Sequence, residues 1–521
     1  MQRFHRTRSI FVAAVAGCAA SALGAGDIPY HKGLDLALFS QTVDPSRLNF
    51  FLDNAAAMGV DHLSINHWWF QDNINSTQIA PNFSKYSASD DTIRQVIDAA
   101  HARGMAVQLR PIVDLANDPS HWRGEITGGS SWFNNAGGYG DYIRHMADIA
   151  QAKNVELFSM GVELETVQTQ ETNWRNLVTD VRSRFDGDLV YGANWGNPAV
   201  GNTVNWWDAV DYVGIDAYYP LTGVNNPTPA QLLSAWTARA NQIEAWRNSV
   251  APTKQILFTE VGYQALDGAN AAPYGATSST VDMREQADCY RALLIALSGR
   301  SWFSGAYWWA WDPNNVHPAA GDYENFGKPA YDVMGSFYVP GYTIGGNWTG
   351  AGGANFSAAN SWSNGTVPGN LTAVTFNSSG GGNTNINLGG AINLARLTFD
   401  TSSTAAHTFQ AGGTITLNSG GGITITNTVI TTQTFNNAFA LSGPTIFANW
   451  SATNLQRLTI NGPITSATTT RNQLALFGNG SGQLNGAITD GVGTIALFKA
   501  GDGTWAVSGN NTFSGATYIG S

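Results

Sequence analysis

The chain has 521 residues and a formal net charge of -11, and a chain of this length is expected to form more than one domain. The acidic balance excludes the broad basic surface that nucleic-acid binding requires, whereas binding of a neutral glycan needs no such surface. The sequence contains no zinc-site, phosphate-loop or calcium-loop signature, so we expect neither a cofactor nor a metal.

The amino terminus is typical of a bacterial export signal. Three arginines within the first eight residues precede an apolar stretch over residues 10–23, which is too short to span a membrane. We therefore expect residues 1–25 to be a signal peptide and the protein to be secreted or displayed at the cell surface. The segment ending at Cys18 also resembles a lipobox, an alternative in which Cys18 carries a lipid. Without Cys18 only Cys289 remains, so no internal disulfide is expected.

Short apolar runs alternate with helical stretches from residue 28 to about residue 342. The predicted strands cover residues 33–38, 61–67, 106–111, 158–163, 189–194, 212–218, 256–260 and 305–309, and the predicted helices cover residues 45–58, 89–102, 139–152, 174–184, 230–246 and 284–297. Such alternation predicts parallel βαβ units, and eight of them within roughly 300 residues predict a (β/α)8 TIM barrel, an α/β fold. Active sites of such barrels lie at the carboxyl ends of the strands.

Two glutamates end strands of this predicted barrel. Glu163 ends the fourth strand and Glu260 ends the seventh. A carboxylate at the end of a buried strand is destabilising unless it is paired or used in chemistry. Glycoside hydrolysis requires two such groups, one acid and one nucleophile, on a rigid frame. A structural ion pair is the alternative role for either glutamate, and Glu165 is a weaker candidate for the acid.

The sequences around these glutamates resemble glycoside hydrolase clan A and, within it, family 113. The resemblance rests on MGVEL at residues 160–164, GIDAYYPL at 214–221 and FTEVGY at 258–263, and it covers roughly residues 28–339. It implies a retaining endo-β-1,4-mannanase with Glu163 as acid/base and Glu260 as nucleophile. Many clan members carry Asn directly before the acid/base, where this chain has Val162. The contact to the sugar 2-hydroxyl must then come from elsewhere or be missing, so a β-glucanase or xylanase is the alternative.

Polar residues at other strand ends are expected to complete the site. Arg110 and Tyr218, which follow the third and sixth strands, are expected to donate hydrogen bonds to the nucleophile. Asn194 and His67 are candidates for binding sugar hydroxyls. A role in the core is an equally open interpretation of His67.

Tryptophans also cluster near the strand ends, at positions 68, 69, 195, 206, 207, 308, 309 and 311. Sugar rings present apolar C–H faces that stack on flat aromatic surfaces, so this clustering predicts a cleft for a polysaccharide. Trp68 and Trp195 are candidates for substrate binding. The resemblance to clan A, which has a sugar platform at strand eight, adds Trp309 and Trp311. Each tryptophan taken singly is more often a core residue.

The composition changes near residue 345. Charged residues become rare, and short alternating runs such as 414–417 and 423–425 are separated by Gly and Asn turns. This pattern predicts an all-β, β-helix-like solenoid over residues 345–521, with a disordered linker as the alternative. Residues 501–515 resemble the autotransporter-associated β-strand repeat. We expect the repeats to pack on one another and not on the catalytic face of the barrel, to be separable from a barrel domain over residues 28–342, and to attach the protein to cells or polymer.

These features predict a secreted retaining glycoside hydrolase that cleaves a β-1,4-linked polysaccharide, with mannan as the leading substrate. The alternative class of function is a non-catalytic, glycan-binding surface adhesin whose barrel has lost activity. The presence of both Glu163 and Glu260 favours the enzyme.

Overall fold

The computed structural model describes residues 30–196, 203–276, 278–452 and 455–520. The expected signal peptide and Cys18 lie outside these residues. Cys289 is a buried free thiol on a barrel helix. None of the helices in the described ranges combines the length and the apolar character that a transmembrane helix requires.

Eight parallel strands close into a barrel in chain order, which confirms the predicted fold class. The strands are β1 His31–Ala37, β2 His62–Gln71, β3 Ala106–Leu115, β4 Leu157–Val162, β5 Asp188–Asn194, β6 Tyr212–Asp216, β7 Gln255–Val261 and β8 Phe303–Trp311. The helices are α1 Pro45–Ala57, α2 Asp90–His101, α3 Ser130–Asn134, α4 Tyr139–Ala152, α5 Glu171–Arg182, α6 Pro229–Val250, α7 Met283–Leu297 and α8 Pro329–Tyr338.

Local signals explain where these helices begin. Asp44 precedes a proline and accepts hydrogen bonds from the backbone N–H groups of Ser46 and Arg47, which caps α1. Ser89 caps α2 in the same way. The short helix α8 was not predicted, although its proline at the first position is a start signal.

The strands β2 and β3 are longer than predicted. They pair along ten residues, from His62 opposite Ala106 to Gln71 opposite Leu115. The two strands therefore continue past the other strands and build one side of the barrel mouth.

The region after the barrel consists largely of short parallel strands, as predicted. They are β9 Thr343–Asn347, β10 Thr372–Phe376, β11 Asn385–Ile386, β12 Ile392–Phe399, β13 Thr408–Phe409, β14 Thr414–Ile425, β15 Gln433–Phe435, β16 Ala438–Leu441, β17 Thr445–Asn449, β18 Gln456–Ile460, β19 Ile464–Ser466, β20 Asn472–Phe477, β21 Ser481–Leu484, β22 Ile488–Gly491, β23 Ile495–Lys499, β24 Trp505–Val507 and β25 Thr517–Ile519. They form sheets of 11 and six strands. Equivalent residues of successive coils pair directly, such as Phe409 with Phe435 and Phe435 with Ile460, which makes this region a solenoid.

The solenoid repeats pack on one another and also against the helices of the barrel. Along β17 and β20, Phe447 and Leu476 face the solenoid core, whereas Ile446 and Phe477 belong to the barrel's own hydrophobic core. Phe498 of β23 joins them and stacks on Phe50 of α1, with ring centroids 3.9 Å apart. The two regions therefore share one continuous core.

A buried ion pair lies in this interface. Arg396 of β12 donates from Nε to Asp332 of α8 at 2.7 Å, and both side chains are almost fully shielded from solvent. The hydroxyl of Tyr342 donates to the same carboxylate oxygen at 2.6 Å. Removing one partner of a buried pair leaves an uncompensated charge, whereas removing both does not.

We expect Asp332→Ala to lower the free energy of unfolding by about 3 to 5 kcal/mol, because Arg396 would remain buried without its carboxylate. The double variant Asp332→Ala/Arg396→Met should be more stable than the single variant, because no charge is then left unpaired. Urea denaturation followed by circular dichroism measures both. Equal losses in the two variants would contradict this account of the interface.

Candidate active site

Both glutamates lie at the carboxyl end of the barrel. Glu163 directly follows β4, and Glu260 is the penultimate residue of β7, where it pairs in register with Asp216 of β6. Their side chains are 12% and 8% exposed, respectively. Each carboxyl group is therefore largely desolvated and still reachable from the mouth.

The backbone of Glu163 adopts an uncommon conformation. Its φ of 54° lies in the left-handed region, which costs a non-glycine residue roughly 1 to 3 kcal/mol and is typical of functional sites. Its N–H donates to the carbonyl of Gly192 on β5 at 2.8 Å. This bond ties the end of β4 to the neighbouring strand.

Arg123 holds the Glu163 carboxylate. It donates from Nη1 to Glu163 Oε2 at 2.8 Å and from Nη2 to Asp114 Oδ2 at 3.1 Å. Burial raises the pKa of Glu163, and the charge of Glu260 raises it further, whereas the guanidinium of Arg123 opposes this rise. Glu163 therefore retains a proton to higher pH than an exposed glutamate would.

Glu260 has hydrogen-bond donors at both carboxylate oxygens. Arg110 Nη1 donates to Oε1, and the hydroxyl of Tyr218 donates to Oε2 at 2.8 Å. Arg110 is fully buried and also donates to Asn66 Oδ1 at 2.8 Å and to Asp216 Oδ2 at 2.7 Å. Charge-assisted bonds of this kind fix the orientation of a carboxylate.

Two further aspartates lie close enough to Glu260 to feel its charge. Asp216 accepts from Thr259 Oγ1 at 2.7 Å, and Asp35 accepts from Asn66 Nδ2 at 2.9 Å. Burial raises the pKa of Asp216 well above its ordinary value and that of Asp35 to about 7. One guanidinium, that of Arg110, thus faces three carboxyl groups.

Asn194 lies at the end of β5, beside the acid candidate. Its Nδ2 donates to Glu165 Oε1 at 2.6 Å, so Glu165 is engaged by Asn194, whereas Glu163 is engaged by Arg123. The Oδ1 of Asn194 has no hydrogen-bond partner among the described residues. This oxygen is buried, and the contact with Glu165 holds the Asn194 side chain in place.

Exposed aromatic faces remain at the barrel mouth. Trp309 is partly exposed, and Trp195, also partly exposed, stacks on Tyr274 with centroids 5.4 Å apart and an interplanar angle of 9°. Phe39, which was not predicted, follows β1, is 40% exposed and stacks on Trp68. These rings are the surfaces available for stacking on sugars.

Three predicted substrate-binding residues are in the core, so those predictions are wrong. Trp68 is only 3% exposed and lies beneath Phe39. Trp311 is 1% exposed and donates from Nε1 to Asn325 at 2.9 Å.

His67 is fully buried, with Nδ1 at 3.0 Å from the hydroxyl of Tyr142 and Nε2 at 3.1 Å from the carbonyl of Ala88. Burial lowers its pKa to about 4. Neighbouring residues of a strand face opposite sides, so Asn66 reaches the barrel interior and His67 the helices.

Other tryptophans of the predicted cluster pack among the helices. Trp69 stacks on Tyr142 at 4.6 Å, Trp206 on Trp174 at 4.8 Å, and Trp308 on Tyr290 at 3.7 Å between ring centroids. Trp207 is buried as well. The tryptophan content of the strand ends therefore reflects the packing between barrel and helices as much as the mouth.

Sequence reasoning missed Arg123, Asp114 and Asp35. Asp35 interrupts the apolar run of β1, which is the same signal that identified Glu163 and Glu260. Arg123 belongs to a short 3-10 helix in the loop after β3. No strand or helix periodicity marks such a position.

A cluster of three acidic side chains lies outside this site. Ligand atoms of Asp267, Asp282 and Glu285 lie within 4.8 Å of one another. Asp282 caps α7, and Glu285 accepts hydrogen bonds from the backbone N–H groups of Gly268 and Asn270. These contacts explain the group as an anchor for the loop before α7.

We expect Asp35→Asn to stabilise the protein progressively as the pH approaches 7. The pKa of Asp35 is raised from 3.8 to about 7 in the folded state, so between these values the folded chain binds a proton that the unfolded chain releases. The stability contributed by this proton is complete below about pH 4 and lost by about pH 7, a loss of up to roughly 4 kcal/mol. Asparagine has no proton to lose.

Urea denaturation between pH 5 and pH 8 measures this difference. Asp91→Asn is the matched control, because the Asp91 side chain is 97% exposed. The difference in unfolding free energy between Asp35→Asn and the wild type should grow with pH, whereas the control should follow the wild type. Parallel curves for all three proteins would contradict the assignment.

Comparison with known protein families identifies the family of the barrel. Residues 48–329, more than half of the chain, match the model of Glycoside Hydrolase Family 113. No curated protein sequence matches the chain significantly.

Solved structures of the same family are similar to this one. A β-mannanase from Alicyclobacillus acidocaldarius in complex with ManMIm is 28% identical with a TM-score of 0.51, over 60% of this chain and 99% of that chain. A β-1,4-mannanase of the family is 25% identical with a TM-score of 0.52, over 60% of this chain and 100% of that chain. A complex of a family 113 β-1,4-mannanase, 24% identical with a TM-score of 0.52 over 60% and 100% of the two chains, supports the fold alone. The chain belongs to glycoside hydrolase family 113 and is a glycoside hydrolase.

Proposed function

We propose that the protein is a secreted, retaining hydrolase of β-1,4-mannan, with Glu260 as nucleophile and Glu163 as acid/base. The observation that carries this proposal is the different environment of the two glutamates. Arg110 and Tyr218 donate to both oxygens of Glu260, whereas burial raises the pKa of Glu163. A retaining glycosidase needs one ionised and one protonated carboxyl group at the start of its cycle.

In the first step, Glu260 attacks the anomeric carbon while Glu163 donates its proton to the glycosidic oxygen. The bond to the leaving sugar breaks, and a glycosyl ester forms on Glu260. Arg110 and Tyr218 keep the attacking carboxylate in one orientation.

Forming the ester removes the negative charge of Glu260. That charge contributes to the raised pKa of Glu163, so its loss lowers the pKa of Glu163 after the first proton has left. Arg123, in contact with Glu163 Oε2, stabilises the resulting carboxylate. Glu163 is then suited to take a proton from the water that hydrolyses the ester.

Mannan is the proposed substrate because the two family structures described above at 28% and 25% identity are mannanases. Val162 is buried and apolar, so it cannot bind the sugar 2-hydroxyl. We propose Asn194 for that contact, since it ends β5 and its side chain contacts Glu165, two residues after Glu163. Trp309 and Trp195 are the proposed stacking surfaces for flanking sugars.

Secretion is proposed from the export-signal pattern of residues 1–25. The solenoid is proposed to attach the enzyme to a cell surface or to insoluble polymer.

The proposed function is tested by reducing-sugar release from purified mannans, β-glucans and xylans, with Glu260→Ala as the inactive variant. We expect reducing sugar to be released mainly from mannan. In Glu260→Ala the turnover rate should fall at least about 10⁴-fold, because the group that forms the ester is missing. Azide should partly restore cleavage and give a glycosyl azide of inverted anomeric configuration. Release from xylan or β-glucan alone would replace mannan as substrate, and wild-type turnover by Glu260→Ala would remove Glu260 from the nucleophile role.

Glu163→Gln is expected to impair natural glycans far more than aryl glycosides with activated leaving groups. A good leaving group departs without protonation, so the first step no longer needs the acid. Glu165→Gln is the matched control, because it alters the neighbouring carboxylate that contacts Asn194. Steady-state kinetics on both kinds of substrate provide the comparison. A similar loss on both kinds in Glu163→Gln would indicate a structural role.

A further inference from the structure

The loop between β8 and α8 lies between the active site and the solenoid. This β8–α8 loop comprises residues 312–328 and starts at the catalytic end of the barrel. One side of it meets residues around Glu260, and the other side meets the solenoid. The contacts on the two sides are described in turn.

Tyr323 is the contact of the β8–α8 loop with the active site. Its ring packs edge-on against that of Tyr218, with centroids 6.4 Å apart, and Tyr218 donates to Glu260. A Cβ added to Gly262, two residues after Glu260, would come within 3.0 Å of the Tyr323 ring. Tyr323 is therefore packed closely against the end of the strand that carries Glu260.

The solenoid contacts the carbonyl of Gly327 with two donors. Trp450 donates from Nε1 at 3.0 Å, and Thr424 donates from Oγ1 at 3.1 Å. A Cβ at Gly327 would also meet the side chains of Ala448 and Ile446 at 3.0 and 3.2 Å. The backbone at Gly327 is thus fixed directly against the solenoid sheet.

Lys328 connects the solenoid contact at Gly327 to residues earlier in the β8–α8 loop. Its ammonium lies 5.1 Å from the centroid of the Trp450 ring. It donates to the carbonyls of Asp322 at 3.0 Å and of Ala319 at 3.3 Å. Asp322 immediately precedes Tyr323, so Trp450, Lys328 and Tyr323 are linked by successive contacts.

A second anchor lies nearer the start of the loop. The N–H of Gly501 donates to the carbonyl of Val316 at 2.8 Å, and His317 Nδ1 lies 2.6 Å from Asp502 Oδ1. Between the two anchors, Phe326 packs edge-on against Phe477 of β20 at 4.8 Å. The solenoid therefore contacts the loop on both sides of Tyr323.

The barrel also holds Tyr323. Gln286 of α7 donates to its carbonyl at 3.0 Å, and the Tyr323 hydroxyl donates to the carbonyl of Pro273 at 2.6 Å. Weakening the solenoid contacts is therefore expected to displace Tyr323 and to increase local opening of the loop, while the barrel contacts keep the loop folded.

We propose that the solenoid is a positioning element of the active site: by fixing the β8–α8 loop from behind, it holds Tyr323 against Tyr218 and the end of the strand that carries Glu260. The inference rests on the proposed role of Glu260 as nucleophile. The region expected to serve attachment would then also be required for full activity of the barrel.

The test uses the full chain with Trp450→Phe/Thr424→Val. This pair removes both donors to the Gly327 carbonyl and keeps an aromatic ring at 450 and a β-branched side chain at 424, at the cost of the second indole ring. The control pair is Trp362→Phe/Thr404→Val, which removes equivalent buried donors inside the solenoid, where Trp362 Nε1 donates to Phe356 and Thr404 Oγ1 to Phe376, each at 2.9 Å. Both pairs should lose similar stability, since each loses buried hydrogen bonds.

Two readouts are compared well below the melting temperatures of both proteins. A displaced residue remote from the reacting atoms can lower the rate strongly. The kcat/KM of the first pair should therefore fall about 10- to 100-fold, mainly through kcat. The kcat/KM of the control pair should stay within about twofold of the wild type. Hydrogen–deuterium exchange over residues 318–325 should increase in the first pair alone.

Equal kcat/KM in the two pairs, or unchanged exchange over residues 318–325, would overturn the inference. The same experiment separates this outcome from failure of the proposed function. If the wild type cleaves none of the glycans, the proposed function fails, and the exchange measurement alone then decides whether the solenoid fixes the loop.

Discussion

The buried guanidinium of Arg110 is the interaction on which the barrel mouth depends. It donates to Glu260 and to Asp216, and it reaches Asp35 through Asn66. One positive charge cannot neutralise three carboxylates in a desolvated site, so part of the group must stay protonated. After burial, the charge of Glu260 contributes to the raised pKa of Asp35, Asp216 and Glu163 alike. The protonation of the acid is thereby coupled to the charge of the nucleophile.

The solenoid strands that face the barrel are buried on both faces, which constrains how the solenoid and the barrel pack together. A parallel strand with apolar residues on both sides has to be covered on both sides. In β17, β20 and β23 one set of side chains fills the solenoid and the other set joins the barrel core. The solenoid is thus a structural neighbour of the barrel helices, and the β8–α8 loop runs through the contact between them.

The order of the barrel strands and the position of the two glutamates could be predicted from the sequence, because strand ends are marked by the change from apolar to polar residues. The contacts of Arg110 and Tyr218 with Glu260 followed from the rule that strand ends meet at one face. The direction of aromatic side chains could not be predicted, since a tryptophan suits both a sugar platform and a helix layer. Trp311 and Trp68 show that the burial of each ring depends on neighbours distant in sequence.

The sequence contains a signal for the packing of the solenoid against the barrel. Strand periodicity alone does not distinguish this signal from that of an isolated solenoid. Runs such as 446–448, 474–477 and 495–498 are apolar without alternation, which is typical of strands buried on both faces. Alternating runs such as 414–417 indicate a solenoid strand that is buried on one face and exposed to solvent on the other. The autotransporter-like repeat stays a prediction.

Gly327 has a consequence for the evolution of this chain. Its φ of 66° favours glycine, its carbonyl receives two hydrogen bonds from the solenoid, and a Cβ at this position would meet Ala448 and Ile446 at 3.0 and 3.2 Å. A change in the loop sequence that suited a new sugar would have to preserve this fit. Loop and solenoid are therefore expected to covary among homologues, and exchanging solenoids between related enzymes should require exchanging the loop with them.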